Sequence, residues 1–151
     1  MAAHERMVIG TAYRLLGRIE DAQDAAQEVF LRLLKNLNRI EGDPKPWLYR
    51  VTVNICNDRY RRRLMTTEPD ERAADPAPNA ERALDLDDRK RLLMEGLETL
   101  SKRERAAVVL RDIEGLSTRE VAGILGIEEV TVRSQISVAR VKLAQYVRSR
   151  T

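Results

Sequence analysis

Apolar residues recur at helical spacing in several segments of the chain, each bounded by a glycine, a proline or a capping residue. The clearest segment is residues 116–143, which the pattern predicts to be two helices joined by a tight turn. Ser117 and Glu120 have the spacing of a capping box, and Gly126 ends the first helix because glycine takes the left-handed conformation at low cost. The second helix is predicted to start near Glu128. Its core-facing stripe is Val132, Ile136, Ala139 and Leu143.

The other side of this second helix is polar, and residues 130–151 contain no Asp or Glu. Its candidate contact residues are Thr131, Arg133, Ser134, Ser137 and Arg140. A short helix, a turn and a longer helix exposing Arg, Thr and Ser are typical of a helix-turn-helix DNA reader. The alternative is an ordinary helical hairpin with a solvated face, but such a face more often carries Glu–Lys pairs. The composition therefore favours DNA binding.

Two amphipathic helices are predicted at the start of the chain. The first covers residues 4–16 and ends at Gly17; its core candidates are Met7, Ile9, Ala12, Tyr13 and Leu16. The second runs from Asp21, as N-cap, to Leu37. Its core candidates are Ala22, Ala26, Val29, Phe30, Leu33 and Leu37. The opposite edge carries Asp24, Gln27, Glu28 and Leu31, and such an edge, taken alone, faces solvent more often than a partner.

A third helix is predicted over residues 47–63, after a loop at 38–46 that contains two prolines. Its inward positions are Leu48, Val51, Thr52 and Ile55, while Arg50, Asn54, Asn57 and Arg61 line another side. Trp47, Tyr49 and Tyr60 lie in the same helix, which ends in three arginines. Aromatic rings beside Arg and Asn suit single-stranded nucleic acid, because each stacked base contributes about 1–3 kcal/mol. The alternative is that Trp47 and Tyr49 complete the core.

A proline-rich stretch divides the chain. Residues 64–82 hold Pro69, Pro76 and Pro78 among acidic and small residues, which predicts a flexible linker between modules at 1–63 and 83–151. In the second module, a helix is expected from about residue 85, with Leu86, Leu92, Leu93, Leu97 and Leu100 as its stripe. Ser101 and Glu104 form a second capping box, and Gly115 ends the helix that follows. Its inward positions are Ala107, Val108, Leu110 and Ile113. The second module is thus predicted to contain four helices.

Composition and charge narrow the function classes. The 43% apolar content with few glycines predicts an all-α protein of two small helical domains. Residues 1–63 carry 12 basic and 8 acidic groups, residues 64–99 carry 5 and 10, and residues 100–151 carry 10 and 6. Two basic modules around an acidic middle indicate a polyanionic partner. Cys56 is the only cysteine, which excludes an internal disulfide and fits a reducing cytoplasm; no apolar run is long enough to span a membrane.

Three segments in order resemble bacterial sigma factors of the sigma-70 family, above all the two-domain extracytoplasmic-function group. They are DAAQEVFLRLLKNL at 24–37, PWLYRVTVNICNDRYRRR at 46–63, and LSKRERAAVVLRDIEGLSTREVAGILGIEEVTVRSQISVARVKL at 100–143. Each motif alone is moderately specific, and the three in this order around an acidic linker are strongly so. Three departures stand out. The loop at 38–46 is short and holds two prolines, so individual residues of a base pocket cannot be assigned there. Few residues precede Met7, where relatives have another turn or two, and Val138 replaces a residue that is often basic or aromatic.

The resemblance implies a transcription initiation factor without catalytic activity. It would bind core RNA polymerase, direct it to promoter DNA and help melt the −10 element. The resemblance assigns polymerase docking to Asp24, Gln27, Glu28 and Leu31. It assigns −10 recognition to Trp47, Arg50, Asn54, Asn57 and Arg61, and −35 recognition to Thr131, Arg133, Ser134, Ser137 and Arg140. An anti-sigma factor is a further partner that the family leads us to expect, and no cofactor is expected.

Two other function classes remain at this point. A stand-alone helix-turn-helix regulator would use only the second module and bind duplex DNA without polymerase, usually as a dimer. The aromatic and arginine-rich helix at 47–63 favours the sigma-factor interpretation, because a duplex reader does not need stacking aromatics. An enzyme is disfavoured, because Cys56 has no neighbouring histidine or second cysteine and the glycines are scattered singly.

Overall fold

The computed structural model describes residues 2–65 and 86–150, and every regular element in these two ranges is helical, as predicted. The elements are α1 (Ala2–Leu16), α2 (Ile19–Lys35), a 3₁₀ turn (Leu37–Arg39), α3 (Lys45–Met65), α4 (Leu86–Glu98), α5 (Lys102–Val108), a π-helical segment (Val109–Ile113) that continues α5, α6 (Thr118–Leu125) and α7 (Glu129–Arg150). The linker predicted at 64–82 begins inside α3, and the remainder of that prediction lies outside the described residues.

The first module is a three-helix unit in which α1 packs against both α2 and α3. Small side chains occupy part of the helix contacts: Ala12, Ala22 and Ala25 are fully buried, which lets the helices approach closely. Thr52 is the one polar member of the α3 stripe, and its hydroxyl donates to the Leu48 carbonyl at 2.6 Å. This bond satisfies the buried hydroxyl, so the predicted inward position of Thr52 carries little penalty.

The second module forms around α7, which packs against α4, α5 and α6. Both predicted capping boxes form. The Ser101 hydroxyl accepts from the Glu104 backbone N–H at 3.2 Å, and the Ser117 hydroxyl accepts from that of Glu120 at 3.0 Å. Gly126 ends α6 in the left-handed conformation, with φ of 70°, as predicted. These local signals fix where the helices of the second module begin and end.

Some predicted positions were wrong, mostly because α2 begins and ends earlier than the pattern indicated. Arg18, in extended conformation after Gly17, is the N-cap, so Asp21 lies in the first turn, where its carboxylate accepts from Arg63 at 2.8 Å. Because α2 ends at Lys35, Leu37 falls in the 3₁₀ turn, where it is 55% exposed rather than in the core.

In α3 the buried positions include Tyr49, Val53 and Cys56, whereas Val51, predicted to face inward, is only half-buried. Leu93 of α4 is exposed rather than buried. Helical spacing placed both residues near a buried stripe, but each lies at its edge.

The two modules pack directly against each other, and one continuous cluster of buried residues runs through both. Arg105 of α5 is buried in this junction. Its Nε donates to the Leu97 carbonyl at 2.8 Å and its Nη1 to the Leu15 carbonyl at 2.7 Å. One guanidinium therefore satisfies carbonyl groups in the last turns of two helices, α4 in its own module and α1 in the other.

Candidate nucleic-acid interface

The helix-turn-helix pair α6–α7 presents its polar side to solvent. Val121 and Ile124 of α6 are buried, as are Val132, Ile136 and Ala139 of α7, so the two helices share a core. The exposed residues on the other side of α7 include all five that the sequence assigned to DNA: Thr131, Arg133, Ser134, Ser137 and Arg140. The predicted face is therefore physically available.

The two arginines of this face differ in how firmly they are held. Arg140 donates from Nε and Nη2 to the two carboxylate oxygens of Asp112 at 2.8 and 2.6 Å, a planar two-bond pair. The pair lowers the pKa of Asp112 and raises that of Arg140. Arg133 lies 3.9 Å from Glu129 and is 61% exposed, so its side chain is only loosely paired. Asp112 belongs to the π-helical segment, and the sequence analysis did not assign it to the site.

The α3 residues assigned to nucleic acid lie in two different surroundings: some face only solvent, and others lie near the second module. Asn54 and Arg61 are exposed, and Arg61 pairs with Asp58 one turn away at 3.4 Å. Trp47 is half-buried and packs against the core, so one part of its ring system remains accessible. These three residues are accessible to a strand of nucleic acid.

Arg50 and Asn57 lie near the second module. Arg50 is exposed, and its Nη2 lies 3.5 Å from the Gly123 carbonyl of α6, at the limit of a hydrogen bond. Asn57 lines a small crevice together with Tyr60, Leu100 and Lys102. The structure therefore brings part of the face assigned to −10 recognition against the helix-turn-helix module.

Tyr49 is buried at the same junction and does not offer its ring for stacking. Its hydroxyl donates to Glu114 Oε1 at 2.8 Å, and Arg14 Nη1 donates to Glu114 Oε2 at 3.1 Å. Burial and the neighbouring carboxylate raise the pKa of Tyr49, so the phenol stays protonated and acts as a donor. Sequence spacing gave no sign of this contact, because Tyr49 and Glu114 are 65 residues apart.

The outer edge of α2 forms an exposed surface of carboxylate, amide and leucine side chains. Asp24 and Gln27 are exposed and Leu31 is 59% exposed. Leu34, which the sequence analysis did not assign, adds a leucine that is 65% exposed. Glu28 is half-buried, and its carboxylate accepts from Arg32 at 2.8 Å and Arg59 at 3.2 Å.

The described residues offer little for covalent or metal chemistry. Cys56 is buried, and desolvation raises the pKa of its thiol to about 12, so the thiolate needed for a nucleophile is disfavoured. Within residues 2–65 and 86–150, no group of three or more His, Cys, Asp or Glu side chains is placed to hold a metal ion. In the same ranges, no helix is both long enough and apolar enough to cross a bilayer.

Comparison with known families agrees with this geometry. Residues 1–64 match the family described as Sigma-70 region 2, and residues 90–143 match Sigma-70, region 4. This chain belongs to the sigma-70 family. The first match covers α1, α2 and nearly all of α3, and the second covers most of α4 and the helices through the helix-turn-helix.

Among curated proteins, several relatives are extracytoplasmic-function (ECF) sigma factors. The chain is 38% identical over 149 residues to SigE of Mycolicibacterium smegmatis, covering 95% of this chain and 58% of that protein. It is 34% identical over 128 residues to SigM of Mycobacterium tuberculosis, covering 83% of this chain and 64% of that protein. The chain thus spans about three fifths of the length of these relatives.

Solved structures share the helical fold across both modules. The sigma factor RpoE from Bartonella quintana, crystallised with the anti-sigma factor NepR, aligns with a TM-score of 0.77 at 22% identity, covering 97% of this chain and 93% of that one. CnrH in complex with the cytosolic domain of CnrY aligns with a TM-score of 0.71 at 24% identity, covering 99% and 86%. Both likenesses extend over α1 to α7 and are likenesses of fold.

Proposed function

We propose that this chain is a transcription initiation factor that binds core RNA polymerase and directs it to promoters, without catalytic activity of its own. One observation carries the proposal: regions 2 and 4 of the sigma-70 family occur in order in one chain, and the second contains a helix-turn-helix whose α7 exposes Thr131, Arg133, Ser134, Ser137 and Arg140. The chain would act in the cytoplasm, where polymerase and promoter DNA meet. Residues 1–63 and 83–151 would serve as its two working domains, joined through 64–82.

The −35 element is assigned to the exposed face of α7. Thr131, Arg133 and Ser134 lie in its first two turns, the part of a recognition helix that reaches base edges in the major groove. Arg140 lies further along the helix and is held by Asp112, which suits a phosphate contact that positions the helix rather than one that reads sequence. Ser137 lies between these two groups.

The −10 element is assigned to α3, with Trp47, Arg50, Asn54, Asn57 and Arg61 as contacts. A base extruded from the duplex loses a few kcal/mol of stacking, which the protein must offset. The accessible part of the Trp47 ring and the amide of Asn54, two turns further along α3, supply stacking and hydrogen bonding. Arg61 supplies a positive charge for the backbone.

Polymerase docking is assigned to the α2 edge: Asp24, Gln27, Glu28 and Leu31. Carboxylates followed along the same helix by exposed leucines fit a partner surface that combines basic and apolar side chains. Because Glu28 already pairs with Arg32 and Arg59 within the chain, Asp24 and Leu31 are the more direct test positions.

A pull-down of core RNA polymerase tests the docking assignment. The double variant Asp24→Lys, Leu31→Ser should lose most of the retained polymerase while keeping its helix content, because both positions are exposed. Glu5→Lys, which reverses the charge at an exposed position of α1, serves as the control and should retain polymerase. Equal retention by the double variant and the control would remove the docking assignment.

Transcription on a genomic library tests the proposed function itself. Core polymerase with this chain should start at a discrete set of promoters, whereas core polymerase alone should not. If the chain instead occupies duplex sites without polymerase and adds no new start sites, it is a stand-alone regulator.

We further propose an anti-sigma partner, because two structural neighbours were solved in complex with NepR and with the cytosolic domain of CnrY, and NepR is named an anti-sigma factor.

A further inference from the structure

The exposed face of α7 has a central row of short, uncharged side chains. Residues three or four positions apart lie above one another on a helix, and the row opposite the buried stripe of α7 consists of Val130, Ser134, Ser137 and Val141. All four residues are exposed. This row therefore points away from the core of the second module.

Two arginines lie on one flank of this row. Arg133 and Arg140 are seven residues apart, and their side chains are 61% and 58% exposed. Within α7, no acidic residue follows Glu129, so α7 beyond its first residue carries no charge that opposes a phosphate. When a helix lies in the major groove, its central row faces the base edges and its flanks face the phosphate backbones. The central row of α7 is therefore the part of the helix that is directed at the bases.

Val130 is the apolar side chain at the start of the central row. It is the second residue of α7, which begins at Glu129, and it is 64% exposed. The N-terminal residues of a recognition helix are the ones that contact base edges. Val130 occupies such a position, yet its isopropyl group has neither a hydrogen-bond donor nor an acceptor. Val130 is therefore limited to apolar contacts with a base.

Thymine is the base that offers an apolar group to such a side chain. In the major groove, guanine presents acceptors, cytosine a donor and adenine one of each, whereas thymine presents a methyl group beside its acceptor. Contact between the isopropyl group of Val130 and this methyl removes apolar surface from water on both sides. Against another base, Val130 would cover a donor or an acceptor without pairing with it, which is unfavourable. A valine at this position therefore favours thymine over the other bases.

We propose that Val130 is a specificity-determining residue that selects a thymine of the −35 element through its 5-methyl group; this rests on the proposed function. Thr131, Arg133 and Ser134 lie around Val130 and supply hydrogen bonds to neighbouring base pairs. The methyl contact should raise the affinity about fourfold. This factor corresponds to about 0.8 kcal/mol, the contribution of one buried methylene-sized group.

Val141 provides the matched control, because it has the same side chain in the same row and is 55% exposed. Eleven residues separate it from Val130, or about 16 Å along the helix axis, so it lies too far along α7 to contact the same base. Alanine has a higher helix propensity than valine, so neither Val130→Ala nor Val141→Ala should reduce the helix content. Circular dichroism verifies this for both variants.

Deoxyuridine isolates the methyl group, because uracil keeps every hydrogen-bonding group of thymine and lacks only that methyl. Promoters mapped by transcription from the genomic library supply the duplexes, which are bound at one fixed salt concentration by core polymerase carrying this chain. Each thymine of the −35 element is replaced singly by deoxyuridine. The native chain should lose about fourfold in affinity at one thymine, and Val141→Ala should lose the same. Val130→Ala should bind the thymine duplex more weakly than the native chain and lose less than about 1.5-fold on the same replacement.

Three results would overturn the assignment of Val130. The native chain could bind the thymine and deoxyuridine duplexes equally at every position of the −35 element. Val130→Ala could remain as sensitive to the methyl group as the native chain, which would assign the contact to another side chain. The mapped −35 elements could lack a shared thymine. The proposed function is decided one step earlier: if core polymerase with this chain gives no mapped promoters, that function fails and the assignment of Val130 fails with it.

Discussion

Replacing Arg105 should be among the more damaging single substitutions in this fold. The side chain is only 8% exposed, and burial lowers its pKa, yet its guanidinium supplies the donors for the carbonyls of Leu97 and Leu15. Arg105→Met keeps most of the length and apolar contact of the side chain but removes both donors. The Leu97 carbonyl also accepts from the Leu100 N–H at 3.1 Å and would keep that partner, whereas the Leu15 carbonyl would lose the guanidinium donor. A buried carbonyl left without a partner costs about 1–3 kcal/mol, and the removal of a buried charge offsets part of the loss. The net loss of unfolding free energy should be about 1–2 kcal/mol.

Equilibrium unfolding in urea, followed by far-ultraviolet circular dichroism, measures this loss. Arg103→Met, at an exposed position of the same helix, is the matched control and should change stability by less than about 0.5 kcal/mol. Arg105→Lys keeps one charged donor and should fall between the native chain and Arg105→Met. Because one buried cluster runs through both modules, the native chain should unfold in a single transition.

If Arg105→Met were no less stable than Arg103→Met, the Leu15 carbonyl would have another partner and the junction would not depend on the guanidinium. If the native chain unfolded in two separate steps, with only the step of the second module affected by Arg105→Met, the bond to Leu15 would not form in solution. The bond to Leu97 would then account for the whole effect.

Three further measurements follow from the second module. Ser117→Ala removes the capping box of α6 and should cost about 1 kcal/mol in urea unfolding, whereas Ser134→Ala on the exposed face should cost almost nothing. The pKa of Asp112 is lowered in the fold, so its pair with Arg140 stabilises the native chain fully above the unfolded pKa of about 4. This contribution is lost as the pH falls through the lower pKa that Asp112 has in the folded chain. Asp112→Asn should therefore lack this part of the acid dependence of the urea midpoint. Arg133→Ala should weaken −35 binding by about 1–3 kcal/mol and relax base preference at one position, while a uniform loss with a shallower salt dependence would mark a phosphate contact.

The elements of this fold that sequence could predict are those set by neighbours along the chain. Ser117 and Glu120 are three residues apart and satisfy each other's backbone groups, so their pattern is visible without tertiary structure. The buried stripe of α7 follows the same local logic, since Val132 and Ile136 are one turn apart. Leu37 was placed wrongly because α2 ends at Lys35, two residues earlier, and Leu37 begins a 3₁₀ turn.

The contacts that sequence could not predict are those between distant positions. Nothing near Tyr49 indicates that Glu114 will accept a hydrogen bond from its hydroxyl, and nothing near Arg140 indicates Asp112, 28 residues away. Such pairs depend on how whole helices dock, and that docking is decided by the summed packing of many side chains. The candidate faces of α2 and α7 were predictable as exposed surfaces, whereas the junction that covers part of α3 was not.

The π-helical segment Val109–Ile113 also has an evolutionary consequence. A single-codon deletion there would regularise the helix and rotate everything downstream by about 100°, the angle of one α-helical residue. The helix-turn-helix would survive as a unit, because its caps and core lie beyond the deletion. The packing of the helix-turn-helix against the first module would change in a single mutational step. A change in chain length can therefore alter how the two modules pack without altering any side chain that faces DNA.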